Sequence, residues 1–119
     1  MTYVDGFVLA VPTAKLDAYF EMASAACKIW MDLGALEYKE CVAEDVDDDK
    51  GFCATFPASF GAKSDETMVF AYVVYKSREH RDEVNAKIHT DPRMKDMPKE
   101  MPFDMKRMCY GGFKTVVTS

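Results

Sequence analysis

The feature that most constrains the fold is an almost wholly apolar run from Thr67 to Lys76, whose interior reads Met-Val-Phe-Ala-Tyr-Val-Val-Tyr. A high density of β-branched and aromatic residues is typical of strands. A short run that is apolar at successive positions indicates a strand that is covered on both faces. We therefore predict that this segment is a central strand of a sheet, with other structure packed against it.

The segments around this strand alternate between strand and helix patterns. Apolar residues recur at three- and four-residue steps after Pro12, which predicts an amphipathic helix that Thr13 caps and Gly34 ends. Ser77 is positioned to cap a second helix, and Asp91-Pro92 to begin a short third helical turn. The predicted elements are a strand at Tyr3–Val11, a helix from Thr13 to about Leu33, strands at Ala35–Glu44 and Thr67–Lys76, a helix from Ser77 to about Thr90 and a strand at Met108–Val117. The order β-α-β-β-α-β is that of a ferredoxin-like plait, an α+β fold in which helices cover one face of an antiparallel sheet.

The first strand also suggests what covers the other face of this sheet. Its side chains alternate between a large set, Tyr3, Asp5, Phe7, Leu9 and Val11, and a small set, Val4, Gly6, Val8 and Ala10. Small side chains allow helices to pack closely, so we expect the small set beneath the helices and the large set on the helix-free face. An exposed apolar patch of that size marks a partner surface. A second copy is the simplest cover, and the sequence therefore predicts a homodimer.

Composition limits the classes of partner and cofactor. The 119 residues suffice for one domain with its own core, which we assign to residues 1–119. The net charge of −5, without a basic stripe, disfavours nucleic acid, and no apolar run approaches the ~20 residues of a membrane span. The four cysteines and two histidines lack metal-ligand spacing, so we expect no metal and no cofactor. Because the amino terminus does not resemble a signal peptide, we expect a cytoplasmic protein with reduced thiols.

Asp5 is the sharpest candidate for a functional side chain, because the alternation places its carboxylate beside Tyr3 on an apolar face. Burial there raises the proton affinity of a carboxylate unless a cation or a donor meets it. The last strand should neighbour the first in a plait, and it offers Lys106, Arg107 and Tyr110 as partners. The functional interpretation is a general base or a ligand anchor. The alternative is a structural ion pair.

A second candidate position lies at the short third helix. Exposed backbone donors at its start suit an anion that Arg93 would help to hold, although Asp91 can satisfy the same donors as a cap. The candidate ligand-binding residues are therefore Tyr3, Asp5, Arg93, Arg107 and Tyr110. No residue is assigned a catalytic role.

The segment Asp45–Glu66 has no clear period and is long for a loop in a small domain. A short helix is predicted around Pro57–Lys63. The segment is either a lid over the sheet or an ordered excursion without a function.

Three stretches of the chain resemble the YbaA-like family of small bacterial proteins of unknown function. They are Tyr3-Val4-Asp5-Gly6-Phe7, Asp91-Pro92-Arg93-Met94-Lys95, and Met101-Pro102-Phe103-Asp104-Met105-Lys106-Arg107-Met108 with Tyr110-Gly111-Gly112-Phe113. The resemblance implies a dimeric α/β barrel, in which two plaits pack through their sheets. It implies no reaction and no catalytic residue.

Two functions are compatible with these patterns. The first is binding or turnover of a small organic molecule, anions included, in a pocket on the sheet face of a homodimer. Such pockets are mostly apolar with a few polar groups, and the methionine and aromatic content suits one. The second is a non-catalytic dimeric module with a structural or regulatory role. A partly polar cavity beside Asp5 would favour the first function, and a solid core would favour the second.

Overall fold

The computed structural model describes all 119 residues and is an α+β structure with one four-stranded antiparallel sheet. The strands are β1 (Tyr3–Pro12), β2 (Glu37–Val42), β3 (Glu66–Tyr75) and β4 (Cys109–Lys114), and the helices are α1 (Leu16–Asp32), α2 (Phe56–Phe60) and α3 (Arg78–Thr90). Short 3₁₀ turns cover Thr13–Lys15, Pro92–Asp96 and Met105–Arg107. The spatial order of the strands is β2-β3-β1-β4. The apolar run is thus part of an inner strand, as the sequence predicts.

Helix ends follow the sequence signals with one exception. The Ser77 hydroxyl accepts a hydrogen bond from the His80 backbone N–H and caps α3, and Gly34 follows α1 with a φ of 118° that favours glycine. The prediction that Thr13 caps the first helix is wrong. Thr13 lies in a 3₁₀ turn that precedes α1, and its hydroxyl pairs with that of Thr67 at 2.8 Å. The side chain therefore joins the turn after β1 to β3 instead.

The predicted orientation of the first strand is also wrong, because the large side chains face the helices. Leu9 and Val11 are buried in a cluster with Tyr19 and Ala23 of α1. The close packing comes from small residues on the helix rather than on the strand. The small set of β1 faces away from the helices, and Phe113 of β4 lies there against Gly6 and Gly111.

A large apolar surface nonetheless remains on that side of the sheet. This helix-free face carries Val4, Val8, Phe70, Tyr72, Val74 and Phe113. Phe70 is 46% exposed and Phe113 is 65% exposed. Val46 and Phe56 line a groove with Phe70, so the segment that follows β2 covers part of this face beside Phe70. None of the helices combines the length and the apolar character that crossing a membrane requires.

Candidate functional site

A cavity of about 220 Å³ lies between the helices and the sheet. Its walls are α1, the helix-facing side chains of the sheet, and the segment between α3 and β4. Five of the nine methionines line it: Met22, Met94, Met97, Met101 and Met108. Methionine side chains are flexible and polarisable, so they adapt to ligands of varied shape. The cavity is the type of space that small molecules occupy.

Glu40 is the one charged side chain in the lining of this cavity. Strand alternation in β2 directs Tyr38 and Glu40 towards the helices and Glu37 and Lys39 to the opposite face. The Tyr19 hydroxyl donates a hydrogen bond of 2.7 Å to Glu40 Oε1, and the Tyr38 hydroxyl donates one of 2.9 Å to Oε2. Each carboxylate oxygen keeps a further lone pair for a proton or a ligand donor.

Burial controls the ionisation of these three side chains. Burial raises the pKa of Glu40, and the hydrogen bonds from Tyr19 and Tyr38 act in the opposite direction. Burial and the neighbouring carboxylate both raise the pKa of Tyr19 and of Tyr38. The phenols therefore stay protonated as donors. A carboxyl group with a raised pKa in an apolar cavity is a recurrent feature of functional sites.

A second polar cluster surrounds Asp5, which is only 2% exposed. Arg81 of α3 donates from Nη1 to Asp5 Oδ1 at 2.9 Å and to the Tyr110 hydroxyl at 2.8 Å. Its guanidinium lies 5.0 Å from the centre of the Tyr3 ring, a cation–π arrangement. Burial raises the pKa of Asp5, and Arg81 and the Tyr110 hydroxyl partly offset that rise. The cluster joins β1 and β4 to α3.

The paired glycines of β4 explain how this cluster is accommodated. A Cβ added at Gly112 would overlap the Tyr3 hydroxyl and ring. Gly112 pairs with Asp5 across the ladder, so the Tyr3 side chain crosses the strand beside the buried carboxylate. The close approach to the backbone at Gly112 is therefore made by an aromatic side chain of the same protein.

The other two candidate residues lie apart from this cluster. Arg93 donates to Asp91 through Nε and Nη2 and to Asp32 through Nη1, which fastens the start of the 3₁₀ turn to the end of α1. Arg107 donates to both oxygens of Glu66, at 2.7 and 2.9 Å, and to the Gly61 carbonyl. The structure thus brings together Tyr3, Asp5 and Tyr110, and it engages Arg93 and Arg107 in separate ion pairs.

We expect the stability of the protein to depend on the Arg107–Glu66 pair in acid. The hydrogen bonds from Arg107 hold the pKa of Glu66 at about 2, below its ordinary value of 4.5. Because the folded-state pKa lies below the unfolded-state pKa, this stabilisation is present above pH 4.5 and is lost as the pH falls towards 2. Urea unfolding across this range should show a smaller fall in Glu66→Gln than in the wild type. Equal pH slopes for the two proteins would contradict this account.

No group of three or more His, Cys, Asp or Glu side chains is placed to hold a metal ion. The four cysteines are unpaired, and Cys41, Cys53 and Cys109 are exposed. The candidate site consists of the cavity and its carboxyl group, with the Asp5 cluster as a separate feature.

Together the fold and the cavity define a small α+β protein with a single carboxyl group in an otherwise apolar pocket. The chain belongs to the family described as "Protein of unknown function (DUF1428)", whose model matches residues 2–105. It is 48% identical over 117 residues to "Uncharacterized protein YbaA" of Escherichia coli strain K12, of Escherichia coli O157:H7 and of Shigella flexneri. Each alignment covers 98% of this chain and 98% of the relative. The resemblance inferred from the sequence motifs is confirmed.

Proposed function

We propose that this protein binds a small, mainly apolar organic molecule in the cavity between helices and sheet. The observation that carries the proposal is the Glu40 carboxylate, which two phenols hold on the wall of an apolar space of about 220 Å³. Removing a charged group from water costs free energy, and charged groups in apolar cavities are often part of functional sites. Glu40 supplies one directional contact, and the methionines supply adaptable apolar contact.

The charge of the cavity favours a neutral or cationic ligand over an anion. Its lining contains a carboxylate and no lysine, arginine or histidine. An anion would be placed close to Glu40 without a compensating cation, which is unfavourable in an apolar environment. A hydroxyl or amine group on the ligand can instead donate to a free lone pair of Glu40.

Three ligands of equal chain length test this proposal: octanol, octylamine and octanoate. Trp30 lines the cavity and is the only tryptophan, so its fluorescence should report occupancy. We expect octanol and octylamine to change this signal saturably and octanoate to bind at least about tenfold more weakly. Glu40→Gln should reduce the preference for octylamine over octanoate. The matched control is Glu37→Gln, in the same strand on the opposite face, and it should leave the preference intact.

A different outcome would favour the alternative function. If none of the three compounds changes Trp30 fluorescence or raises the melting temperature, the cavity is not a ligand site. The non-catalytic dimeric module then becomes the better description. A preference for octylamine over octanoate that is equal in wild type and Glu40→Gln would remove Glu40 from the site.

We also propose a structural role for the five residues selected from the sequence. Tyr3, Asp5 and Tyr110 would act through Arg81 to hold β1 and β4 against α3, and Arg93 and Arg107 would fasten the connecting segments. This proposal is supported by the pairing of each carboxylate and guanidinium with a partner in the chain. Asp5→Asn should accordingly leave octanol affinity unchanged.

The assembly that we propose is a homodimer of ferredoxin-like plaits, joined through the helix-free faces as a dimeric α/β barrel. The strand order β2-β3-β1-β4 and the helices on one side of the sheet support the plait. Phe70 and Phe113 support the interface, because both are aromatic and exposed on the helix-free face. Stable dimers bury ~800 Å² per partner, an area that a four-stranded sheet face can supply.

We further propose a cytoplasmic location. Its support is chemical, since all four cysteines are unpaired and three of them are exposed. Exposed thiols persist in reducing compartments and tend to oxidise elsewhere.

A further inference from the structure

The carboxyl group in the cavity has the surroundings of a general base as well as those of a ligand anchor. Both oxygens of Glu40 are oriented by phenols, so the carboxylate is held in one position before any ligand enters. The rest of the lining is apolar. A carboxylate in such a setting is a stronger base than one in water.

The two phenols differ in how freely they can exchange partners. Tyr19 belongs to α1 and is buried in the core, with its ring against Phe20 and Phe103, and it makes the shorter bond to Glu40. Tyr38 is half-buried on the edge strand β2 and makes the longer bond, of 2.9 Å. Tyr19 is therefore suited to hold Glu40, and Tyr38 can turn its hydroxyl towards a ligand atom.

From this geometry we propose that the cavity catalyses proton transfer at the carbon next to the carbonyl of an apolar ketone, with Glu40 as the base and Tyr38 as the donor to the enolate oxygen. The inference rests on the proposed function, because the ketone must first occupy the same cavity. It names the substrate class as small, uncharged, enolisable carbonyl compounds.

The proton transfer requires no oxidant, reductant or further reactant besides the protein and the ketone. The α-carbon gives its proton to a Glu40 carboxylate oxygen, and the electrons of the broken C–H bond form the C=C bond of the enolate. The carbonyl π electrons move to oxygen, where the Tyr38 hydroxyl stabilises the negative charge by a hydrogen bond. Return of a proton from Glu40 to carbon regenerates the carbonyl and the base. In deuterated water, exchange at Glu40 leads to incorporation of deuterium into the substrate.

The probe is β-tetralone, a bicyclic apolar ketone with an acidic benzylic position, and tetralin is the matched compound without the carbonyl. Trp30 fluorescence measures binding, and proton NMR in deuterated water measures loss of the α-proton signal. We expect wild-type protein to bind both compounds and to accelerate exchange in β-tetralone. Glu40→Gln should bind β-tetralone with similar affinity and lose about a hundredfold or more of the exchange rate. Tyr38→Phe should lose about tenfold or more, and Glu37→Gln should keep the wild-type rate.

Failure of the proton-transfer proposal can be distinguished from failure of the binding proposal. Saturable binding of β-tetralone without accelerated exchange, or exchange that persists in Glu40→Gln, would overturn proton transfer and leave the binding proposal intact. Absence of binding by β-tetralone and tetralin would overturn both, because the cavity would then exclude the apolar class of ligand.

Discussion

Replacing Arg81 by methionine should lower the free energy of unfolding by about 3–5 kcal/mol at neutral pH. Methionine keeps much of the apolar stem but removes the hydrogen bond of 2.9 Å to Asp5, whose carboxylate would then be buried without a cation. The pKa of Asp5, already raised by burial, should rise further. A raised folded-state pKa means that ionisation opposes folding, so the destabilisation should shrink in acid as Asp5 takes up a proton. Urea unfolding at several pH values measures both effects.

Two further variants test the cause of this effect. Arg78→Met changes an exposed arginine at the start of the same helix and should stay within about 0.5 kcal/mol of the wild type. The double variant Asp5→Asn with Arg81→Met should recover much of the loss, because it removes the unpaired charge. If Arg81→Met is as stable as Arg78→Met, the Asp5 cluster does not hold the fold as we describe.

Phe70→Asp should convert the proposed dimer into monomers. Phe70 is on the inner strand β3 and is 46% exposed on the helix-free face, so in a dimer its side chain would be enclosed. A carboxylate at this position would have to be dehydrated without a partner, which costs several kcal/mol for each of the two copies. Sedimentation equilibrium over a range of concentrations measures the change in mass.

The matched control for the interface is Phe52→Asp. Phe52 is 84% exposed on the connection between β2 and α2 and belongs to no strand of the sheet, so its replacement should leave the dimer intact. A wild-type protein that sediments as a monomer, or a Phe70→Asp variant that stays dimeric, would contradict the proposed interface.

Much of the architecture follows from local sequence signals. The apolar run at 67–76 marked an inner strand, Ser77 marked the start of α3, and Asp91-Pro92 marked the 3₁₀ turn, where the Asp91 side chain accepts from the Arg93 backbone N–H. Each of these signals depends on chemistry within a few residues. The order of helices and strands then required no long-range information.

The orientation of β1 could not be read from the strand alone. Small side chains suit close packing from either side, and the deciding partners, Ala23 on α1 and Phe113 on β4, are distant in sequence. The alternation identified the two sets of side chains correctly but not the face that each one occupies. The sequence therefore predicts an exposed apolar surface around Phe7, whereas in the structure this surface is formed by Phe70 and Phe113.

The candidate site was recognised only in part for a related reason. Tyr110 was selected as a partner of Asp5 because neighbouring strands could be paired from the topology. Arg81 was missed because the contact depends on which face of α3 meets the sheet. Glu40 was not recognised because Glu37 and Lys39 of the same strand are charged too. Its spacing from Tyr38 nevertheless places those two side chains on one face. The hydroxyl of Tyr19 completes the site from another element, which no local pattern reveals.

The most direct test of the cavity as a ligand site is NMR of protein labelled with ¹³C at the methionine methyl groups, titrated with octanol. We predict that the signals of Met22, Met94, Met97, Met101 and Met108 shift together with one dissociation constant, while those of Met1, Met31, Met68 and Met105 stay in place. Met68 is the decisive control, because it lines a separate groove beside Phe70. Shifts at Met68 without shifts at the five cavity methionines would contradict the account, since octanol would then occupy that groove instead.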